Sequence, residues 1–221
     1  MKIKVIESVL KDNDAVAQTN RSTMNAAGLL SLNITSAPGS GKTMLLEKTI
    51  TALGPDAPCA VLVGDLQTSR DAQRLAGCGA ATVQINTGRG CHLSAAQISA
   101  GLGSVDLSQI AYLFIENVGN MVCPAGFDLG EHKRIAMLSV PEGDDKVAKY
   151  PTLFQPADLI ILNKIDLAEL LEFDVEQVRA DLARINTRAP LLLLSVRTGE
   201  GMEKWFEWLD ACRTDTTGRK D

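Results

Sequence analysis

The sequence has no excess of basic residues. Its 22 Lys and Arg are outnumbered by 27 Asp and Glu, for a formal net charge of −5. It therefore lacks the electrostatic footprint of a nucleic-acid-binding protein. No apolar run approaches the length of a membrane span. The opening residues, MKIKVIESVLKDNDAV, mix acids into the apolar positions and contain no signal-peptide core. A cytoplasmic location is the expectation. Internal repeats, low-complexity blocks and linkers dividing two domains are also missing. Histidine is scarce, with two in 221 residues. The five cysteines are unevenly spaced and do not resemble a disulfide framework. In a reducing compartment, a clustered subset of them points instead to metal binding or chemistry.

What is present is an ordinary globular composition, 45% hydrophobic and 22% charged. Apolar runs suited to buried strands occur at 30–35, 60–63, 81–85, 112–115, 135–140, 159–162 and 191–195. Helix-like stretches lie between several of them, at 42–53, 71–76, 94–102 and 168–185, and one follows at 202–212. Short buried strands alternating with helices predict βαβ units and a mostly parallel, seven-stranded sheet covered on both faces. The expected organisation is an N-terminal helical segment over 1–28 packed on the domain, a single α/β domain over 29–213 and a frayed tail over 214–221. Ligands of such sheets bind beyond the carboxyl ends of the strands.

Residues 36–43, SAPGSGKT, follow the first strand and open a helix. They match the P-loop pattern except that Ser36 stands where the pattern has glycine. Phosphate binding needs backbone N–H groups aimed from a helix N-terminus. Pro38 has none, so the donors come from Gly39, Ser40, Gly41, Lys42 and Thr43. Lys42 offers charge to the β- and γ-phosphates, and Thr43 a hydroxyl to Mg²⁺. About 120 residues on, a buried strand ends in Asn163-Lys164-Ile165-Asp166, like the guanine-specificity motif of GTPases. The Asp166 carboxylate can accept from N1–H and the exocyclic amine of guanine, a donor pair that adenine lacks. Asn163 can bond the other edge of the base or brace the phosphate loop, and the Lys164 stem can cover the base face. Ser195, opening SVRTGEG, resembles a further base-contacting loop.

Asp65 and Glu116 each end a strand, and Asp71 enters a helix. An acid at a strand end holds Mg²⁺ in P-loop enzymes, directly or through water. Turn or helix-cap duty is the ordinary alternative for Asp65 and Asp71. Gly119, three residues after Glu116, can send its N–H to the γ-phosphate, so ENVG resembles the GTPase switch with glutamate in place of aspartate. No catalytic glutamine or arginine finger is identifiable, and slow intrinsic hydrolysis follows. Cys91 and His92 sit side by side after the third strand, and Cys123 lies in the loop after the fourth. Both loops leave the same sheet edge, and a thiolate–imidazole set suits Zn²⁺ or Ni²⁺. Three ligands leave a site that is open, completed by water or completed across a dimer. Cys59, Cys78 and Cys212 read as structural, and His132 as a surface residue.

Together, SAPGSGKT, GDLQTSRDAQRL, GRGCHLSA, IENVGNMVCPAGFDLGE, PEGDDKVAKYP, LNKIDL and TGEGM resemble the HypB family, GTPases of nickel–iron hydrogenase maturation. The match runs in order from about residue 20 to 208. The resemblance implies a three-layer α/β/α P-loop NTPase fold of the SIMIBI class and GTP/GDP as ligands. It implies a Mg²⁺ shell from Thr43, Asp65 and Glu116, with Lys42, Asp65 and Glu116 as the catalytic set. Cys91, His92 and Cys123 match the family's nickel or zinc site at the interface of a homodimer promoted by nucleotide or metal. Lys146 and Lys149 are implied contacts to the partner subunit or the nucleotide. HypA and the hydrogenase large-subunit precursor are the implied partners. The first 41 residues contain no cysteine and no histidine, so the N-terminal nickel-binding motif of some members is not expected. Two other readings remain at this stage. One is the related urease accessory family UreG, which has cysteine-proline-histidine where this chain has Cys123-Pro124-Ala125. The other is a regulatory GTPase with no metal role.

Overall fold

The computed structural model describes residues 9–65, 69–88 and 90–217. The start of the expected N-terminal segment, the Leu66–Thr68 part of the GDLQTSRD stretch, Arg89 and the last four residues lie outside the described residues. Seven strands form one sheet: β1 (Leu30–Ser36), β2 (Cys59–Asp65), β3 (Ala81–Asn86), β4 (Tyr112–Glu116), β5 (Lys133–Ser139), β6 (Leu159–Asn163) and β7 (Leu191–Leu193). Their order is β3-β2-β4-β1-β5-β6-β7, and every pairing is parallel. The helices are α1 (Val9–Ala26), α2 (Lys42–Leu53), α3 (Arg70–Gly77), α4 (Ala95–Leu102), α5 (Lys146–Lys149), α6 (Pro151–Phe154), α7 (Val175–Ile185) and α8 (Met202–Thr217). This is the three-layer architecture expected from the alternation of elements, with a sheet that is wholly parallel.

The central strands read as continuous apolar runs because helices cover both faces. β1, β4 and β6 are buried at every position, whereas the edge strand β3 is not. One core cluster joins β1, β2 and β4 to α2 and α8, with Trp205 fully buried and its indole N–H donating to Thr49 Oγ1 at 2.9 Å. A second joins β5 and β6 to α6 and α7, and a third lies under α1 and α4. α1 is tied to the domain by buried asparagines. Asn20 Nδ2 donates to the carbonyls of Ala95 and Leu129, and Asn13 bonds Ala95 N and Asp128 O. Among the described residues, no helix is long and apolar enough to cross a membrane.

Three expectations change. α7 begins at Val175 rather than 168, because the Asp174 side chain caps it by accepting from Gln177 N at 2.9 Å. Glu172 just before it has φ 50°, which breaks the helix. The expected frayed tail is helical as far as Thr217, since α8 runs on past Cys212, which is buried. His132 is a half-buried tie, not a surface side chain. Its Nδ1 accepts from Ser31 N at 2.9 Å, which leaves Nε2 as the donor to Asn25 Oδ1 at 2.8 Å. It thereby links α1 to the β1–β5 pair, and burial lowers its pKa.

Candidate functional site

The loop after β1 wraps into the N-terminus of α2. Gly39 and Gly41 adopt left-handed backbone, with φ +77° and +104°. A Cβ on Gly41 would lie 2.5 Å from Asn163 Nδ2. Gly41→Ala should therefore cost about 1–3 kcal/mol of stability from backbone strain and a displaced hydrogen bond. It should also weaken nucleotide binding; native-like stability and affinity, from denaturant unfolding and nucleotide titration, would contradict this. Lys42 is buried, and its Nζ donates to Ser36 Oγ at 2.9 Å. The residue that departs from the P-loop pattern is thus a hydroxyl partner for the P-loop lysine. Ser36 ends a strand and is not left-handed, so its backbone has no need of glycine. Burial lowers the Lys42 pKa, while Glu116, Asp71 and Glu142 act against that.

β2, β4 and β1 are adjacent, with Val63 and Ile34 flanking Glu116 in register. This brings Asp65, Glu116 and the phosphate loop to one sheet edge. They line a cleft of about 430 Å³ with Asp71 and Gly119, within the usual size of ligand sites. Thr43 Oγ1 donates to Glu116 Oε1 at 2.6 Å. Glu116 is 4% exposed, and its Oε2 has no hydrogen-bond partner among the described residues. Burial pushes its carboxyl up to about 7, against the Thr43 hydrogen bond and Lys42. An orphaned carboxylate oxygen beside a threonine hydroxyl fits a divalent cation. Asp71 instead pairs with Arg74 at 3.2 Å, and Arg74 also grips both oxygens of Glu47 at 2.9 and 2.6 Å. Gly119 packs on the phosphate loop: a Cβ there would meet Pro38 Cα at 3.0 Å.

The residues expected from the sequence to read the base lie at the end of β6, against the phosphate loop. Asn163 Nδ2 donates to Ser40 O at 2.7 Å and its Oδ1 accepts from Val196 N at 3.0 Å. It thereby braces the phosphate loop, the second of the two roles considered. Lys164, at φ 62°, donates from Nζ to Gly39 O at 2.7 Å. Asp166 is exposed at the 3₁₀ turn Ile165–Leu167. Ser195 is buried, with its Oγ accepting from Thr198 N at 3.2 Å, so it shapes its own turn. Lys146 lies 5.9 Å from the Tyr150 ring centre, and Lys149 pairs with Asp145.

Cys91, His92 and Cys123 converge, with one donor atom from each within 4.8 Å of the others. Two donors 2.3 Å from a shared ion can lie at most about 4.6 Å apart, so the set needs little movement to close on a metal. Cys91 Sγ lies 3.6 Å from His92 Nδ1. A hydrogen bond with Cys123 raises the Cys91 pKa, and burial lowers that of His92, favouring the neutral imidazole that ligates metals. The His92 ring stacks on Phe127, with centroids 3.9 Å apart. In contrast, burial pushes the Cys59 and Cys212 thiols up to about 12 and about 11, as befits inert core residues.

Residues 30–193 match the family model described as CobW/HypB/UreG, nucleotide-binding domain. The hydrogenase maturation factor HypB of Azotobacter vinelandii is 48% identical over 211 residues, which is 96% of this chain and 70% of that relative. The chain belongs to the HypB family. Among solved structures, HypB from Helicobacter pylori in complex with nickel is similar with a TM-score of 0.86 and 40% identity, covering 93% of this chain and 97% of that one. HypB from Archaeoglobus fulgidus gives a TM-score of 0.87 at 41% identity, over 92% and 100% of the two chains. Family membership makes this chain a P-loop nucleotide-binding protein of the hydrogenase-maturation type, and the relatives named are of HypB rather than UreG.

Two residues of this HypB-family site escaped sequence reasoning. Arg74 reaches the cleft from α3, but in sequence it is one arginine on a polar helix. Glu142 Oε1 lies 2.7 Å from Ser40 Oγ and accepts from Ser139 N at 2.9 Å. The Ser139-x-x-Glu142 spacing announces a capping box, not a brace reaching the phosphate loop.

Proposed function

We propose that this chain is a GTP-binding, slowly GTP-hydrolysing metallochaperone that assists nickel insertion into nickel–iron hydrogenase. The observation that carries this reading is the segment from Glu116 to Cys123. One end faces the phosphate cleft and the other joins Cys91 and His92 in a metal-type donor set. Gly39 through Thr43 bind the phosphates, Asp166 selects guanine, and Asn163 and Lys164 hold the phosphate loop in place beneath the base. Thr43, Asp65 and Glu116 would hold Mg²⁺, which supplies neutralising charge to the β- and γ-phosphates. The nickel or zinc cargo takes Cys91, His92 and Cys123, with a fourth position left for water or a second copy of the chain. A homodimer in the cytoplasm, HypA and the hydrogenase large-subunit precursor complete the reading by family likeness.

Slow hydrolysis follows from what the cleft holds. Arg74 is its arginine, but the guanidinium is engaged by Glu47 and Asp71. Among the described residues lining the cleft, Lys42 is therefore the cation left for the γ-phosphoryl group, with no free arginine beside it, and turnover of the monomer should be on the order of 10⁻² s⁻¹ or slower. Ni²⁺ titration of the GDP-loaded protein, with GTP turnover followed in the same preparation, tests the whole. One site per chain is expected, with thiolate-to-nickel absorption and both Cys91 and Cys123 protected from alkylation. Absence of bound metal and of protection would leave a metal-independent GTPase, and turnover in the tens per second would refute the slow-hydrolysis assignment.

A further inference from the structure

Asn117 and Asn120 flank the Val118–Gly119 pair on the Glu116–Cys123 segment. Asn117 is 2% exposed. Its Oδ1 accepts from the backbone N–H of Leu93 at 3.3 Å and of Val118 at 3.0 Å. Its Nδ2 donates to Asn33 Oδ1 on β1 at 3.3 Å. Asn120 is half-buried. Its Nδ2 donates to the Cys91 carbonyl at 3.3 Å, and its Oδ1 accepts from Val122 N at 2.9 Å. The Cys91 carbonyl and the Leu93 N–H belong to the two peptide groups on either side of His92. The two asparagines thus clasp the backbone of one metal-ligand pair, and Asn120 also holds the residue before Cys123, the third ligand.

The topology makes this clasp more than local decoration. Cys91 and His92 follow β3, whereas Cys123 follows β4, and β2 lies between those strands. Among the described residues no main-chain hydrogen bond joins the two loops, so side chains bring the donors together before any metal arrives. A buried amide left without partners costs free energy, and here the Asn117 side-chain amide bonds three groups on three separate segments. Gly119, the residue placed to meet a γ-phosphate, stands between the two asparagines. A change of backbone conformation there alters whether both can reach the His92 peptides at once.

We propose that Asn117 and Asn120 are positioning residues that gather Cys91, His92 and Cys123 into a metal site in one nucleotide state and not in the other. The proposal rests on the metallochaperone reading above and adds the element through which nucleotide and metal communicate. A conformational element biased from both sites is what such coupling physically requires.

The test is Ni²⁺ affinity of the full chain with Mg²⁺·GDP and with a Mg²⁺-bound non-hydrolysable GTP analogue, in wild type, Asn120→Ala and Asn117→Ala. Couplings of this kind usually span about 5- to 150-fold. In the variants, affinity should fall in the tighter state and little in the weaker one, bringing the ratio to within about twofold of unity. A uniform loss in both states would mean a passive brace and would overturn the proposal, as would an unchanged ratio. Amide exchange at Leu93 in the wild-type protein needs no variant: its protection should differ between the two nucleotide states, and equal protection would count against the clasp. A wild-type ratio near one would instead refute nucleotide–metal linkage itself, a separate outcome from a normal ratio that survives the substitutions.

Discussion

Asp166→Asn should lower GDP affinity by about 100- to 10,000-fold, the loss of two charge-assisted hydrogen bonds to the base. The same substitution should raise affinity for xanthosine diphosphate, which presents a carbonyl where guanine presents its exocyclic amine. An asparagine amide can donate to that carbonyl, and a carboxylate cannot. The fold should tolerate the change. Asp166 is exposed on a short 3₁₀ turn, while the neighbouring structural roles belong to Asn163 and Lys164, which hold Ser40 O and Gly39 O. Competition binding with guanine, xanthine and adenine nucleotides checks this directly. A variant that kept its guanine preference would show that Asp166 does not read the base.

Cys123→Ala should abolish stoichiometric nickel binding. Loss of an outer-shell partner alone costs a metal site about 10- to 100-fold, so removing one of three protein ligands should cost about 100-fold or more. Cys123 is half-buried in the 3₁₀ turn Cys123–Gly126, and alanine fits such a turn. Cys78→Ala is the matched control, because Cys78 is also half-buried but lies apart from the cluster, in the turn after α3. Nickel titration followed by thiolate-to-nickel absorption should separate the two variants. Retention of one tight nickel per chain by Cys123→Ala would remove Cys123 from the ligand set.

Much of the fold was legible because its signals are local. A strand buried on both faces is a continuous apolar run, so β1, β4 and β6 stood out, and each was bounded within about a residue or two. The α7 start was not, since LAEL is a good helical sequence and the stop at Glu172 is a matter of backbone angle. The site divides in the same way. SAPGSGKT and NKID are contiguous, and their chemistry follows from residue type and spacing. The hydroxyl partner of Lys42, the Arg74–Glu47 grip, the Glu142 brace and the Asn117–Leu93 bond join residues six or more positions apart. The first is set by how the phosphate loop curls back on its own strand end, and the others by which elements neighbour one another, and no local pattern records either. His132 was misplaced for the same reason: its partners Ser31 and Asn25 are about a hundred residues away.

The central claim is that Glu116, Gly119 and Cys123 make one segment through which phosphate and metal act on each other. Linkage requires the effect to be reciprocal, so either ligand can report it. The most direct measurement is the nickel affinity of the unmodified chain, titrated once with Mg²⁺·GDP and once with a Mg²⁺-bound non-hydrolysable GTP analogue, with oligomer size recorded in both. The account predicts affinities that differ by about fivefold or more. Equal affinities in the two states would contradict it.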